Sequence, residues 1–439
     1  MESPVLAATS FSHELRVEAV RGVLARARET IAQGEGAPDF EALELAAVAL
    51  AHETMRPRLR NVINATGVMI HTNLGRAPLM SNEWVSPEGY TNLEFDLVSG
   101  KRGSRRDHLE GLICELSGAE AALVVNNTAA AVLLLLTTCA RGKEVLISRS
   151  ELVEIGGSFR VPEIMEASGA ILREIGTTNR TYVEDYEKAV NSNTAAILKV
   201  HRSNFKVSGF THEATTKELV ELARRHEIPF WFDLGSATFG PLPADLPVES
   251  DVRAELAAGI DVGCFSGDKL LGGPQSGILV GKKDAIARLA AHPMARALRV
   301  GKLTIKRLQD VLLAYRRSQS GDVTLSAMLN MSHDELEERG RKVLSALTDG
   351  GISAELVSSD DPIGGGSHPD QTLPGLAVKL AHSTGVNRMA AKLRQGSIPV
   401  VCVVREDAVH LHLRTLLSGQ EAQLVEAVIE VFSSSDATS

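Results

Sequence analysis

The 439-residue chain has no Cys-x-x-Cys pair, no apolar run long enough to cross a bilayer and no excess of basic residues. Each absence removes a class of function. The four cysteines, Cys114, Cys139, Cys264 and Cys402, are scattered, so they read as buried thiols and not as a disulfide framework or a zinc site. The apolar stretch Val132 to Thr138 falls far short of the roughly 20 residues a membrane span needs. Residues 1 to 12 lack the basic start and long apolar run of a signal peptide. The expectation is a cytoplasmic protein with no membrane contact. A net charge of −9 argues against a protein that coats nucleic acid generally, while leaving room for a local basic patch.

What is present is a chain long enough for two or three domains. Residues 13 to 32 place Val17, Val20, Leu24, Ala27 and Ile31 at helical spacing. Gly34-Glu35-Gly36-Ala37-Pro38 stops that helix, and a second runs from about Phe40 to Glu53. Residues 1–57 are therefore expected to form a helical N-terminal unit. From Val62 onward, short apolar strands alternate with helices: Ala121 to Val125, Glu144 to Ser148, Ala195 to Val200, Pro229 to Asp233, Val262 to Phe265 and Gly277 to Val280. This alternation predicts an α/β large domain over 58–302, with a mostly parallel sheet covered by helices. After a helical stretch from about Leu303, strands at Leu373 to Leu380, Val400 to Val404 and Val409 to Leu413 predict a smaller α+β domain over 303–439, with Gly364-Gly365-Gly366-Ser367 as a loop inside it.

Ligand sites in open α/β sheets lie at the carboxyl ends of strands, and here those ends are polar. The most informative is Ser266-Gly267-Asp268-Lys269, between two apolar runs and followed by glycines. A buried ammonium is costly and tends to lose its proton, which is what an amine needs to form an imine with an aldehyde such as pyridoxal phosphate. Lys269 is thus a candidate cofactor lysine; the plain alternative is a lysine in a surface hairpin. Asp233, 36 residues earlier at a strand end, could hold a pyridinium nitrogen protonated, or could simply cap a helix. Asn127 and Thr128, opening a small-residue helix, and the hydroxyl of Ser266 are candidates for the cofactor phosphate.

Ile63 to Leu79 combines short polar side chains, two glycines and Arg76 in a way that core packing does not require, and reads as a loop lining a site. Arg296 and Arg299, three apart, are expected to share a helix face and to suit an oxyanion, or else to be a solvated face. His410 and His412 point to one face of a strand, with no third metal ligand evident.

Five segments together carry a family resemblance: Asn64-Ala65-Thr66-Gly67 with His71-Thr72-Asn73-Leu74-Gly75-Arg76-Ala77-Pro78-Leu79; Glu151 to Arg160; Gly176-Thr177-Thr178-Asn179-Arg180-Thr181; Lys199-Val200-His201; and the Lys269 segment. The sequence resembles the bacterial selenocysteine synthases, from about residue 12 to the C-terminus. That resemblance implies a fold-type I pyridoxal 5'-phosphate enzyme that converts seryl-tRNA(Sec) to selenocysteinyl-tRNA(Sec) with selenophosphate, through a dehydroalanyl intermediate. It implies that Lys269 is the imine lysine, that Asp268 assists, and that Arg76, Arg296 and Arg299 hold selenophosphate. It further implies a large homo-oligomer built from dimers. Family members usually begin with a further short segment associated with tRNA contact, ahead of where this sequence starts; the family's usual helix is shorter here, over Met80 to Gly89. Two other readings are a related pyridoxal phosphate lyase acting on a small amino acid or amino sugar phosphate without tRNA, and a catalytically silent paralogue that binds RNA or a partner.

Overall fold

The computed structural model describes residues 4–80, 89–155, 159–244, 246, 251–368, 370–380 and 385–436. The expectation for Met80 to Gly89 falls almost wholly outside them. The chain divides into two compact units, Met1–Asn61 and Val62–Ser439.

In the first unit, helices His13–Ala32 and Phe40–Met55 begin at Ser12 and Asp39, whose side chains accept from the N–H groups of Leu15 and Ala42. The buried face differs from the expected stripe. Ala19 and Val23 are buried with Ala47, whereas Leu24 and Ile31 are exposed. The reason lies at Gly22, where an added Cβ would stand 2.9 Å from Leu50 Cδ2. The helices approach along their small residues, which rotates the larger apolar side chains outward.

The second unit contains strands β1 (Ile63–Ala65), β2 (Ala121–Val125), β3 (Glu144–Ser148), β4 (Glu154–Ile155), β5 (Phe159–Arg160), β6 (Ile171–Ile175), β7 (Thr194–Val200), β8 (Phe230–Ser236), β9 (Val262–Ser266) and β10 (Gly277–Gly281). Strands β11 (Ala354–Pro362), β12 (Thr372–Leu380), β13 (Val400–Arg405) and β14 (Ala408–His412) follow. A seven-stranded sheet has the order β2-β10-β9-β8-β7-β3-β6. Strand β10 runs antiparallel to β2 and β9, and the β9-β8-β7-β3-β6 pairs are parallel. The sheet is therefore mostly parallel, as the alternating pattern implies. Its central strands are buried on both faces, which is why they read as continuous apolar runs.

Strand β6 was not anticipated, because three of its five residues are exposed and it lacks an apolar run. The second sheet, β1-β13-β14-β12-β11, takes its edge strand β1 from the start of the unit, where β1 pairs in parallel with β13. Strand β11, Ala-Glu-Leu-Val-Ser-Ser-Asp-Asp-Pro, was also missed; its polar residues are accommodated because only Asp361 among its nine residues is buried. Thus the segment carrying Arg76 leaves the C-terminal sheet and crosses to the end of the seven-stranded sheet.

Candidate functional site

The site grows from the turn between β9 and β10. The N–H of Gly267 donates to Ser276 O at 2.9 Å, that of Gly273 to Gly267 O at 2.8 Å and that of Gly272 to Lys269 O at 2.8 Å. Gly272 has φ of 72°, which suits a residue without Cβ. Two neighbours hold this turn. Ser236 Oγ accepts from the N–H of Leu270 at 3.2 Å, and the hydroxyl of Tyr315 donates to Leu271 O at 3.0 Å. Lys269 is consequently 5% exposed, so it is no surface-hairpin lysine.

Burial pushes the pKa of Lys269 down; Asp233 and Asp268 oppose the shift, and Arg76 adds to it. Asp233 is also buried, and burial pushes its carboxyl up, against the donated N–H of Gly235, the charge of Lys269 and the thiol of Cys264. Asp233 does not close its strand as expected: β8 continues to Ser236, with a register shift between Asp233 and Gly235. At that irregularity the carboxylate accepts from the N–H two residues on, at 3.0 Å. A helix-cap role is thereby removed.

Asn127 and Thr128 stand at the start of helix Thr128–Cys139, with the Asn127 side chain accepting from the N–H of Ala130 at 2.8 Å. The Thr128 and Ser266 hydroxyls are 2.6 Å apart. This helix start lies tight against β10, since a Cβ on Gly277 would overlap the carbonyl of Asn127. Arg76 Nη1 is 2.8 Å from Asp268 Oδ2, and the N–H of Ala77 donates to Asp268 O at 3.1 Å. Lys269, Asp268, Asp233, Arg76, Ser266 and Thr128 are therefore brought together from four separate stretches of chain.

Arg296 and Arg299 are arranged otherwise than expected. Their helix is only Pro293–Ala297, and Arg299 lies beyond it in an isolated bridge with Val125. The carbonyl of Leu298 accepts from the N–H of Asn126 at 3.0 Å, so the end of β2 captures the backbone and stops the helix before Arg299. Both arginines line a cavity of about 490 Å³ with Arg102, Arg105, Arg106 and Glu94, and Lys269 is not among its lining residues. Arg299 Nη1 is 3.5 Å from Glu94 Oε1.

Three contributors were not singled out from sequence. Gly366, with φ of 85°, packs so closely that a Cβ there would stand 2.6 Å from Lys269 Cε and 2.7 Å from its Nζ. Ser203 is fully buried, its hydroxyl has no hydrogen-bond partner among the described residues, and it borders Gly235 as Lys269 does. Tyr315 is the third, and it lies in the helical stretch expected from about Leu303. Lys199 and Glu151, from two of the resemblance segments, form a buried pair at 3.7 Å, with Glu213 also bonded to Lys199. In the Glu151 segment, residues 156–158 lie outside the described residues.

The arrangement offers an amine biased toward its neutral form, an acid facing it, and a hydroxyl pair at a helix start. Comparison with known proteins gives it a context. Residues 62–417 match the family model described as L-seryl-tRNA selenium transferase. The L-seryl-tRNA(Sec) selenium transferase of Moorella thermoacetica is 47% identical over 390 residues, covering 86% of this chain and 83% of that protein. The chain belongs to the L-seryl-tRNA selenium transferase family. Another family member, from Hyphomonas neptunium, is 42% identical over 437 residues, covering 96% of this chain and 94% of its own. Among solved structures, that of a D-glucosaminate-6-phosphate ammonia-lyase superposes with a TM-score of 0.61 at 21% identity, covering 88% of this chain and 98% of that one. The fold is that of the fold-type I pyridoxal phosphate enzymes. At that identity the likeness shows the fold alone and lends the lyase reading no more than that. Among the described residues, no helix is long and apolar enough to cross a membrane.

Proposed function

We propose that this chain converts seryl-tRNA(Sec) to selenocysteinyl-tRNA(Sec), taking selenium from selenophosphate, with pyridoxal phosphate held by Lys269. The observation that carries the reading is the buried Lys269 facing buried Asp233 in a chain that belongs to this family. The residues fit the cofactor: the neutral-biased amine of Lys269 suits its aldehyde, and Asp233 suits its ring nitrogen. Thr128, Ser266 and the N–H groups of the helix start suit its phosphate. The orphan hydroxyl of Ser203 is a buried donor that a ligand beside Lys269 would satisfy.

When bound, pyridoxal phosphate supplies an aldehyde for the seryl amine and a ring that accepts the electron pair from the α-carbon. Lys269 is the base placed to take the α-proton, and burial pushes its pKa down, which favours the neutral amine. Asp233 holds a proton at the ring nitrogen, and Arg76 keeps Asp268 paired beside the lysine. With the cofactor bound, the β-hydroxyl would leave as water together with the α-proton, and selenium would add at the β-carbon as water cleaves its bond to phosphorus and phosphate departs. Arg76, Arg296 and Arg299 supply the cationic groups for selenophosphate, guanidinium forks matching phosphate oxygens. Arg296 and Arg299 line a cavity whose lining does not include Lys269, which accords with a site completed by a second copy of the chain in a homo-oligomer built from dimers. The exposed apolar side chains Tyr90, Phe95, Leu97 and Val98 support that association. A substrate carried on tRNA supports a cytoplasmic activity.

The test is binding and turnover with purified protein. It is expected to retain tRNA(Sec) over tRNA(Ser), and Arg299→Ala should raise the selenophosphate concentration needed for turnover far more than that of seryl-tRNA. Equal affinity for the two tRNAs, with no selenium incorporated, would overturn the reading.

A further inference from the structure

Behind the site, strand β11 ends at a cluster that the chemistry above does not use. Asp361 is fully buried. Its Oδ1 accepts from His412 Nδ1 at 2.6 Å and from Ser359 Oγ at 3.1 Å, and its Oδ2 accepts from Arg414 Nε at 3.2 Å. Arg414, itself buried, donates onward to the carbonyls of Met328 at 2.9 Å, Met331 at 3.1 Å and Pro374 at 2.5 Å. Two glycines make room for the carboxylate. A Cβ on Gly67 would stand 2.5 Å from His412 Nδ1 and 2.7 Å from Asp361 Oδ1, and one on Gly375 would overlap Asp361 Oδ2.

Two chain segments leave this cluster side by side. One runs from Gly67 to Arg76, the other from Asp361 to Gly366. They are tied by N–H to O bonds from Met69 to Pro362 at 3.1 Å, Ile70 to Ile363 at 2.7 Å and Gly365 to Ile70 at 3.2 Å. At their far ends, Arg76 meets Asp268 and Gly366 packs on Lys269. A carboxylate locked by three donors at the root of both segments sets where they arrive. The geometry points to Asp361, with His412 and Arg414, as the positioning cluster that delivers Gly366 against Lys269 and Arg76 against Asp268. The inference rests on Lys269 being the cofactor lysine. His412 takes this part in place of any metal-binding one.

A cluster that served folding alone would change stability and leave the lysine's reactivity intact; a positioning cluster changes reactivity in protein that is still folded. The experiment uses the full chain freed of cofactor, to which pyridoxal phosphate is added, with borohydride quenching and mass spectrometry giving the rate and place of attachment. Thermal melts run in parallel. Misplacement by about 1 Å slows a reaction roughly a hundredfold, so Asp361→Asn and His412→Leu are each expected to slow attachment at Lys269 by about tenfold to a hundredfold, well below their melting temperatures. His412→Asn presents an amide N–H where Nδ1 stood, and is expected to recover at least about tenfold of the His412→Leu loss, on that same scale. Attachment rates equal to wild type in all three variants, whatever their melting temperatures, would overturn the inference. Should Asp361→Asn not fold, the His412→Leu and His412→Asn pair decides alone: equal rates overturn it. Wild-type protein that attaches the cofactor elsewhere overturns the reading of the site instead, and is distinguished by the attachment position.

Discussion

Gly366→Ala separates a loop that merely passes Lys269 from one that shapes its reactivity. The new Cβ would stand 2.6 Å from Lys269 Cε, 2.7 Å from Nζ and 3.3 Å from Cδ. Ordinary carbon contacts are about 3.5–4.0 Å, so the lysine must retreat by about 1 Å or the loop must lift away by as much. The φ of 85° adds a backbone cost of about 1–2 kcal/mol for a residue with Cβ. Against a typical folding stability of about 5–15 kcal/mol, that leaves the protein folded. The displacement is the larger effect, since about 1 Å corresponds to roughly a hundredfold in rate, or about 2.7 kcal/mol of barrier. The assay is the rate at which added pyridoxal phosphate becomes borohydride-fixable at Lys269, beside thermal unfolding. Gly111→Ala is the control. It lies in helix Glu110–Ser117 with open space around the added Cβ, and should raise stability by up to about 1 kcal/mol without changing the rate. A Gly366→Ala protein that is destabilised yet attaches cofactor at the wild-type rate would refute the steric argument and reduce Gly366 to a backbone role.

Two further outcomes follow from the buried carboxyls. Burial pushes Glu151 up to about 7, against the opposing charge of Lys199. With an unfolded value of about 4.3, its contribution to stability is fully present below that value and is lost as pH rises through about 7. Wild-type melting temperature should therefore fall more steeply between about pH 5 and about pH 8 than that of Glu151→Gln; parallel curves would show that Glu151 is ionised throughout. Asp233→Asn should still fix cofactor at Lys269 but lose most turnover, because a neutral amide does not hold the ring nitrogen protonated. Near-normal turnover would mean that Asp233 acts only through its bond to the N–H of Gly235.

Local chemistry made much of the molecule readable. Strands such as Val262–Ser266 and Gly277–Gly281, buried on both faces, wrote themselves as unbroken apolar runs. The Ser266 to Lys269 turn announced itself because polar residues and glycines interrupt those runs at a strand end, where ligands bind. Helices with side-chain caps at Ser12 and Asp39 were equally legible. Strands β6 and β11 were not, because exposed edge residues need no apolar period.

The amino-acid sequence by itself determined which residues could do chemistry: a lysine with a reason to lose its proton, an aspartate able to face it, hydroxyls at a helix start. Only the tertiary structure decided which of them meet. Lys269 touches Gly366, 97 residues away by their numbers, because β1 joins the C-terminal sheet and carries the Arg76 segment alongside β11. Arg299 leaves its helix because the end of β2 captures the backbone of Leu298. Spacing along a chain governs which side chains share a helix or strand face. Approach between distant segments is set by where glycines leave room and where buried charges such as Asp361 find donors, and both are properties of the folded packing.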